Sequence, residues 1–170
     1  MRTRLTLIAA LAWAAAPLQA QEAPDNLLID YAAFEKLTAE VAPYRETRRI
    51  PLTQFLSLAQ QEGVILLDAR SETAFALGHI EGAINLPFSD FTDEKLVKVL
   101  GDDKDRPILI YCNNNFSDNV VPVVTKRAPL ALNIPTFINL YGYGYTNIWE
   151  LADVVERRDV AWVSSIAEQP

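Results

Sequence analysis

The chain has 170 residues, 22 of them acidic against 15 basic, for a net charge of −7. That length suits one folded domain behind a short leader, and the acidity disfavours nucleic acid and anionic membrane surfaces, which call for basic patches. The single cysteine, Cys112, excludes an internal disulfide, a Cys-Cys redox pair and a multi-cysteine metal site.

In chain order, the first elements read as an export signal. Arg2 and Arg4 precede an apolar run from Leu5 to Ala16, and Pro17-Leu18-Gln19-Ala20 ends on a small residue. This is the pattern of a cleavable signal peptide over residues 1–20, cut after Ala20, which makes the chain an exported, periplasmic one. An uncleaved anchor is the alternative, but the run is short against the roughly twenty residues of a bilayer span. No cysteine follows it that could carry a lipid, and no stable membrane insertion is expected after cleavage. A leader and helix are expected over residues 21–48. The leader, Gln21 to Asn26, is polar, and Ile29, Ala33, Leu37 and Val41 follow at helical spacing up to Pro43.

From Ile50 strand and helix alternate. A short first strand at Ile50 leads into a helix carrying Leu52, Phe55, Leu56 and Leu58, which Gly63 stops. The continuous apolar run Val64 to Leu67 suits a strand buried on both faces. Further expectations are a helix over Glu72–Leu77, a strand over Ala83–Leu86 and a helix over Asp93–Leu100 with Thr92 as its cap. Ile108 to Tyr111 is the next strand, leading directly to Cys112. A helix is expected between Asn119 and Leu132, a fifth strand over Thr136–Leu140 and a last helix over Asn147–Val155. Short strands separated by helices imply right-handed crossovers and a doubly wound α/β sheet.

In such sheets ligands sit beyond the carboxyl ends of the strands, so Cys112 belongs at that rim. Asn113, Asn114, Asn115, Phe116 and Ser117 follow, and Asn tolerates tight turns. A turn there that feeds a helix near Ser117 to Asn119 would aim backbone N–H groups inward and lower the pKa of a thiol. An ordinary Asn-rich turn beside an inert cysteine fits the spacing as well.

Several motifs narrow the choice. Leu67-Asp68-Ala69-Arg70, followed by Gly78-His79-Ile80-Glu81-Gly82-Ala83-Ile84-Asn85-Leu86-Pro87, resembles the rhodanese family. Ile110-Tyr111-Cys112 is similar to that family's strand into its active-site cysteine. Asn139-Leu140-Tyr141-Gly142-Tyr143-Gly144, then Trp149, resembles its closing stretch. The resemblance runs from Arg49 to Leu151 in the right order. It implies a single rhodanese-like domain, residues 49–156, with a five-stranded, mostly parallel sheet, helices on both faces and a C-terminal tail over 157–170. It also implies an active-site loop from Cys112 to Ser117 and persulfide chemistry. Cys112 would accept sulfur from a donor such as thiosulfate and pass it to a thiol or cyanide, with Asn113 to Ser117 as the N–H cradle and no metal or organic cofactor.

The departures are specific. Asn115 stands where the family often has Gly, the loop lacks the usual cation, and Asp118 follows it. Asp118 also occupies the place of the arginine that the related phosphatases need. A neutral loop with Phe116 suggests an apolar or thiol-bearing donor rather than thiosulfate. Asp68 and Arg70 are candidates either for an internal ion pair or for support of the site. His79, the only histidine, is either structural or a partner of the thiol. Tyr141, Tyr143 and Tyr145 would share one side of an extended segment, as a pocket wall, a partner surface or plain packing. Lys126, Arg127, Arg157 and Arg158 are expected on solvated helix faces. The reading is an exported sulfurtransferase or persulfide carrier using Cys112. The alternatives are a rhodanese-fold binding or regulatory module, with a protein partner, and a thiol-redox sensor. The physiological donor and acceptor, and the oligomeric state, are not encoded in these motifs.

Overall fold

Strands buried on both faces need two apolar sets on alternate residues, and this chain supplies them. The computed structural model describes residues 26–165, so the expected signal peptide and the start of the leader lie outside the described residues. Residues 26–30 belong to a separate unit, where Ile29 N–H closes a turn on Asn26 O at 3.0 Å. The body begins at Tyr31.

Its central sheet has the order β1-β6-β5-β2-β4, with every pairing parallel. The strands are β1 (Arg49–Ile50), β2 (Ile65–Asp68), β4 (Ile84–Asn85), β5 (Ile108–Tyr111) and β6 (Ile148–Leu151). Ile65, Leu67, Ile108, Ile110 and Ile148 face one core, closed by α1 (Tyr31–Glu46), α4 (Asp93–Leu100) and α5 (Asn133–Gly142) through Val41, Leu96, Leu100, Phe137 and Leu140. Leu66, Leu109, Tyr111 and Leu151 face the other, with Phe55 of α2 (Leu52–Ala59) and Trp162. The α/β sheet with helices on both faces is therefore the expected one.

Several expected elements stand as read, including α3 (Glu72–Leu77) and α4. Ser71 and Thr92 cap them, accepting from Ala74 N–H and Lys95 N–H. Four expectations are corrected. First, α1 continues through Pro43, because the turn beyond it is anchored: Tyr44 packs on Phe137 and Tyr141, and Arg45 pairs with Glu150. Those contacts outweigh the proline penalty.

Second, the helix expected between Asn119 and Leu132 is absent. The segment is a strap of turns with one 3-10 turn at Ala128–Leu130. Pro122 and Pro129 break helical hydrogen bonding, and the strap bonds to asparagine side chains instead. Third, the last two elements are exchanged. Thr136–Leu140 lies within helix α5, and Asn147–Val155 contains strand β6. Asn133, Thr136, Phe137 and Leu140 are all buried at helical spacing, but two of them are polar and hide the pattern. Fourth, the segment after Arg157 carries a strand, β7 (Trp162–Val163), which pairs antiparallel with β3 (His79–Ile80). No described helix is long and apolar enough to cross a membrane.

Candidate active site at the carboxyl rim

Strand β5 delivers Cys112 to the rim, as its position in the sequence requires. The residue is 1% exposed and its sulfur is a free thiol. Cys112 caps a 3-10 turn over Asn113–Asn115, in which its Sγ accepts from Asn114 N–H at 3.4 Å. Asn115 completes a reciprocal cap by accepting from Cys112 N–H at 3.0 Å.

The N–H cradle differs in origin from the expected one. Asn115 N–H bonds Cys112 O, Phe116 N–H bonds Asn113 O and Ser117 N–H bonds Val155 O. Of those three donors none is left for the sulfur. Besides Asn114, the N–H groups of Leu132, which caps α5, and of Asn133, its first residue, act on the thiol. A helix N-terminus does point at Cys112, but it belongs to α5 rather than to a helix directly after the loop. Burial pushes the thiol above its ordinary value. The three N–H groups pull it down, and nearby Glu150 adds to the rise.

Two polar networks grip the loop. On the α2 face Asp68 and Arg70 form an internal ion pair, with Arg70 Nε 2.9 Å from Asp68 Oδ1. Arg70 also donates to Gly78 O and to Asn113 Oδ1, at 2.7 and 3.0 Å. Tyr111 donates its hydroxyl to Asp68 at 2.8 Å and accepts from Ile80 N–H. Burial, then the neighbouring Asp68 carboxylate, hold that phenol well above the ordinary range. On the other face Glu150 accepts from Arg45 Nε at 2.6 Å and from Asn133 Nδ2 at 3.3 Å. Asn133 also donates to Asn115 Oδ1 at 3.0 Å. Sequence patterns did not single out Arg45, Asn133 or Glu150; a lone acidic residue inside an apolar run was the available signal.

The remaining candidates are placed as follows. Asn113 and Asn114 hold the strap: Asn114 Nδ2 donates to Lys126 O at 2.8 Å, and its Oδ1 accepts from Lys126 N–H at 3.0 Å. Asn113 Nδ2 reaches Val124 O at 3.2 Å. Phe116 is buried edge-on to Tyr111 and Trp162, so it is not presented to a partner. Asp118 is neutralised by Arg157, 3.0 Å away, on a 3-10 turn rather than a helix. His79 stacks on Phe75 and bonds its carbonyl, a structural role. The three tyrosine hydroxyls diverge, to Glu40, Phe91 O and Gly101 O, which is packing rather than a shared wall.

Depressions flank the strap, among them one of about 280 Å³ lined by Asn113, Pro122, Val124 and Lys126, a cleft and an open groove, and Cys112 lines none of these three. A small apolar cleft of about 70 Å³ lies between Leu77, Trp162, Val121 and Pro122. An open groove of about 550 Å³ runs past Thr73, Phe88 and Lys126 to Leu132. Among the described residues no cluster of His, Cys, Asp or Glu is arranged to hold a metal ion.

A parallel αβα sheet with one cysteine at the end of its central strand defines a class of domains that present a thiol at the sheet rim. The chain belongs to the rhodanese-like domain family, whose model matches residues 52–153. It is 40% identical over 72 residues to a thiosulfate sulfurtransferase, GlpE, of Pseudomonas putida, a match spanning 42% of this chain and 62% of that protein. A GlpE of Shewanella oneidensis is 30% identical over 71 residues, 41% of this chain and 65% of that one. The chain thus spans somewhat less than two thirds of these curated relatives. Among solved structures, the BH2092 protein of Bacillus halodurans superposes with a TM-score of 0.51 at 16% identity, over 75% of this chain and 85% of that one, a likeness of fold.

Proposed function

We propose that the chain is a sulfurtransferase or persulfide carrier in which Cys112 accepts the sulfur. The observation that carries the reading is the position of Sγ at the end of β5, beneath N–H groups from Asn114, Leu132 and Asn133, in a rhodanese-like domain. Similarity to thiosulfate sulfurtransferases supports the reaction class. The Cys112 thiolate attacks the outer sulfur of a sulfane donor. A new S–S bond forms, the donor's S–S bond breaks, and its electron pair leaves with the departing group, sulfite in the case of thiosulfate. Attack of an acceptor thiolate on the outer sulfur then returns Cys112 as thiolate. The preorganised N–H groups stabilise the persulfide anion.

The donor reaches Sγ only when the strap over residues 119–132 moves, because the thiol is buried. The groove ending at Leu132 is the approach. Phe116 is buried and Asp118 is paired with Arg157, so neither selects against an anionic donor, and both thiosulfate and a thiol-type persulfide fit the reading. The acceptor is a thiol or cyanide. The Arg2–Ala20 pattern supports export to the periplasm, which N-terminal sequencing of the protein recovered from that compartment would test.

The burial and raised pKa of Cys112 favour one competing reading, a binding module with an inert thiol. Intact mass separates the two. Incubation with thiosulfate, and separately with a thiol persulfide, should add one sulfur, removable by a thiol and absent in Cys112→Ser. No adduct from either donor would overturn the sulfurtransferase reading.

A further inference from the structure

A buried carboxylate beside a thiol that must ionise is an odd neighbour, since it opposes the charged form. Glu150 is such a group. Its side chain is 4% exposed, on the same face of the sheet as Cys112, in the middle of β6. It is not isolated. Arg45, from the last turn of α1, holds it through Nε and Nη2, and Arg45 is itself only 18% exposed. The carboxylate accepts as well from Asn133 Nδ2, and that amide also donates to Asn115 Oδ1, the atom that receives Cys112 N–H. Unbroken hydrogen bonding therefore links Arg45, Glu150, Asn133, Asn115 and the backbone of Cys112.

We propose that the Arg45–Glu150 pair positions the site: through Asn133 it fixes the first turn of α5 against Sγ of Cys112, and Arg45 cancels a negative charge that would otherwise oppose the thiolate. The geometry gives each member a reason to be there. Glu150 anchors Asn133, whose backbone N–H faces the sulfur. Arg45 makes that anchor electrically tolerable. The other charges around Cys112 are few. Asp68 and Arg70 compensate each other on the opposite face, Lys126 of the strap is exposed, and α5 contributes N–H groups but no charged side chain. The loop itself is neutral, so the balance within this pair sets how strongly Glu150 opposes the thiolate. This role concerns ionisation of the thiol, and it rests on the proposed function only for its consequence in sulfur transfer.

The test is a pH titration of thiolate ultraviolet absorbance in the full chain, each variant read against its own Cys112→Ser counterpart. Glu150→Gln keeps the acceptor for Asn133, removes the carboxylate charge nearest the thiol and leaves Arg45 paired only with the exposed Glu46, 3.6 Å away, so the thiol midpoint should fall by about one pH unit. Arg45→Met leaves Glu150 uncompensated and should raise the midpoint by a similar amount, while Arg45→Lys should return it towards wild type. Midpoints that do not move, or that move the same way in Glu150→Gln and Arg45→Met, would overturn the proposal, since loosened packing alone has no sign. Should Arg45→Met fail to fold, Glu150→Gln and Arg45→Lys still decide it. Sulfur uptake is measured separately. A chain with opposed midpoint shifts and no sulfur adduct would sink the proposed function and leave the pair's role standing.

Discussion

Two buried ion pairs grip the Cys112 loop from opposite faces of the sheet, and they are enclosed to different degrees. The side chains of Asp68 and Arg70 are 0% and 2% exposed, and Tyr111, Gly78 and Asn113 complete their bonding. Glu150 and Arg45 are 4% and 18% exposed, and Arg45 comes from the last turn of α1. The first pair is framework: it sets where β2, the Gly78 turn and the loop meet. The second borders the thiol, and its outer member remains in touch with water. A charge meant to stay fixed is sealed, whereas one that tunes a reacting group stands nearer solvent.

Breaking each pair sharpens the contrast. Asp68→Ala strands the Arg70 guanidinium in the interior and should cost about 3–5 kcal/mol. Glu150→Ala should cost about 2 kcal/mol, because Arg45 can turn outward and rehydrate. Denaturant midpoints measure both, and equal losses would erase the distinction.

A smaller effect comes from the thiol itself. Burial raises the folded-state pKa of Cys112 above its unfolded value, so the folded state holds its proton more tightly. That contribution is fully present below the ordinary thiol pKa and is lost as pH rises through the folded one. Stability measured against alkaline pH should therefore fall in the wild type and be flatter in Cys112→Ser. Parallel curves would mean the thiol ionises freely and is not enclosed.

How much of this was legible in the sequence follows from how local each cause is. Strand β5 and β2 as far as Leu67 are unbroken apolar runs, and α3 and α4 carry their own caps in Ser71 and Thr92, so short windows suffice. The rim position of Cys112 follows from β5 alone. Helix α5 and strand β6 were exchanged because their decisive residues are polar. Asn133, Thr136 and Glu150 are buried, and the partner that makes Glu150 tolerable lies 105 residues earlier. A shorter separation hid the cradle: the N–H groups of Leu132 and Asn133 come to the sulfur only once the whole strap has been laid across the loop. Pro43 misled in the other direction, since Tyr44 and Arg45 repay the broken helical bond with tertiary contacts.

Access to Cys112 is the claim on which the functional account turns, and the strap's attachment allows it to be measured. Asn114→Ala removes both side-chain bonds to Lys126 while leaving the backbone N–H that faces Sγ. The decisive measurement is the rate at which a small alkylating reagent modifies Cys112 in the native chain. Wild type should react far more slowly than an unfolded control, and Asn114→Ala about fivefold faster than wild type, the consequence of about 1 kcal/mol less hold on the strap. A wild-type rate equal to that of the unfolded thiol, or no acceleration in Asn114→Ala, would contradict a buried sulfur acceptor reached by movement of the strap.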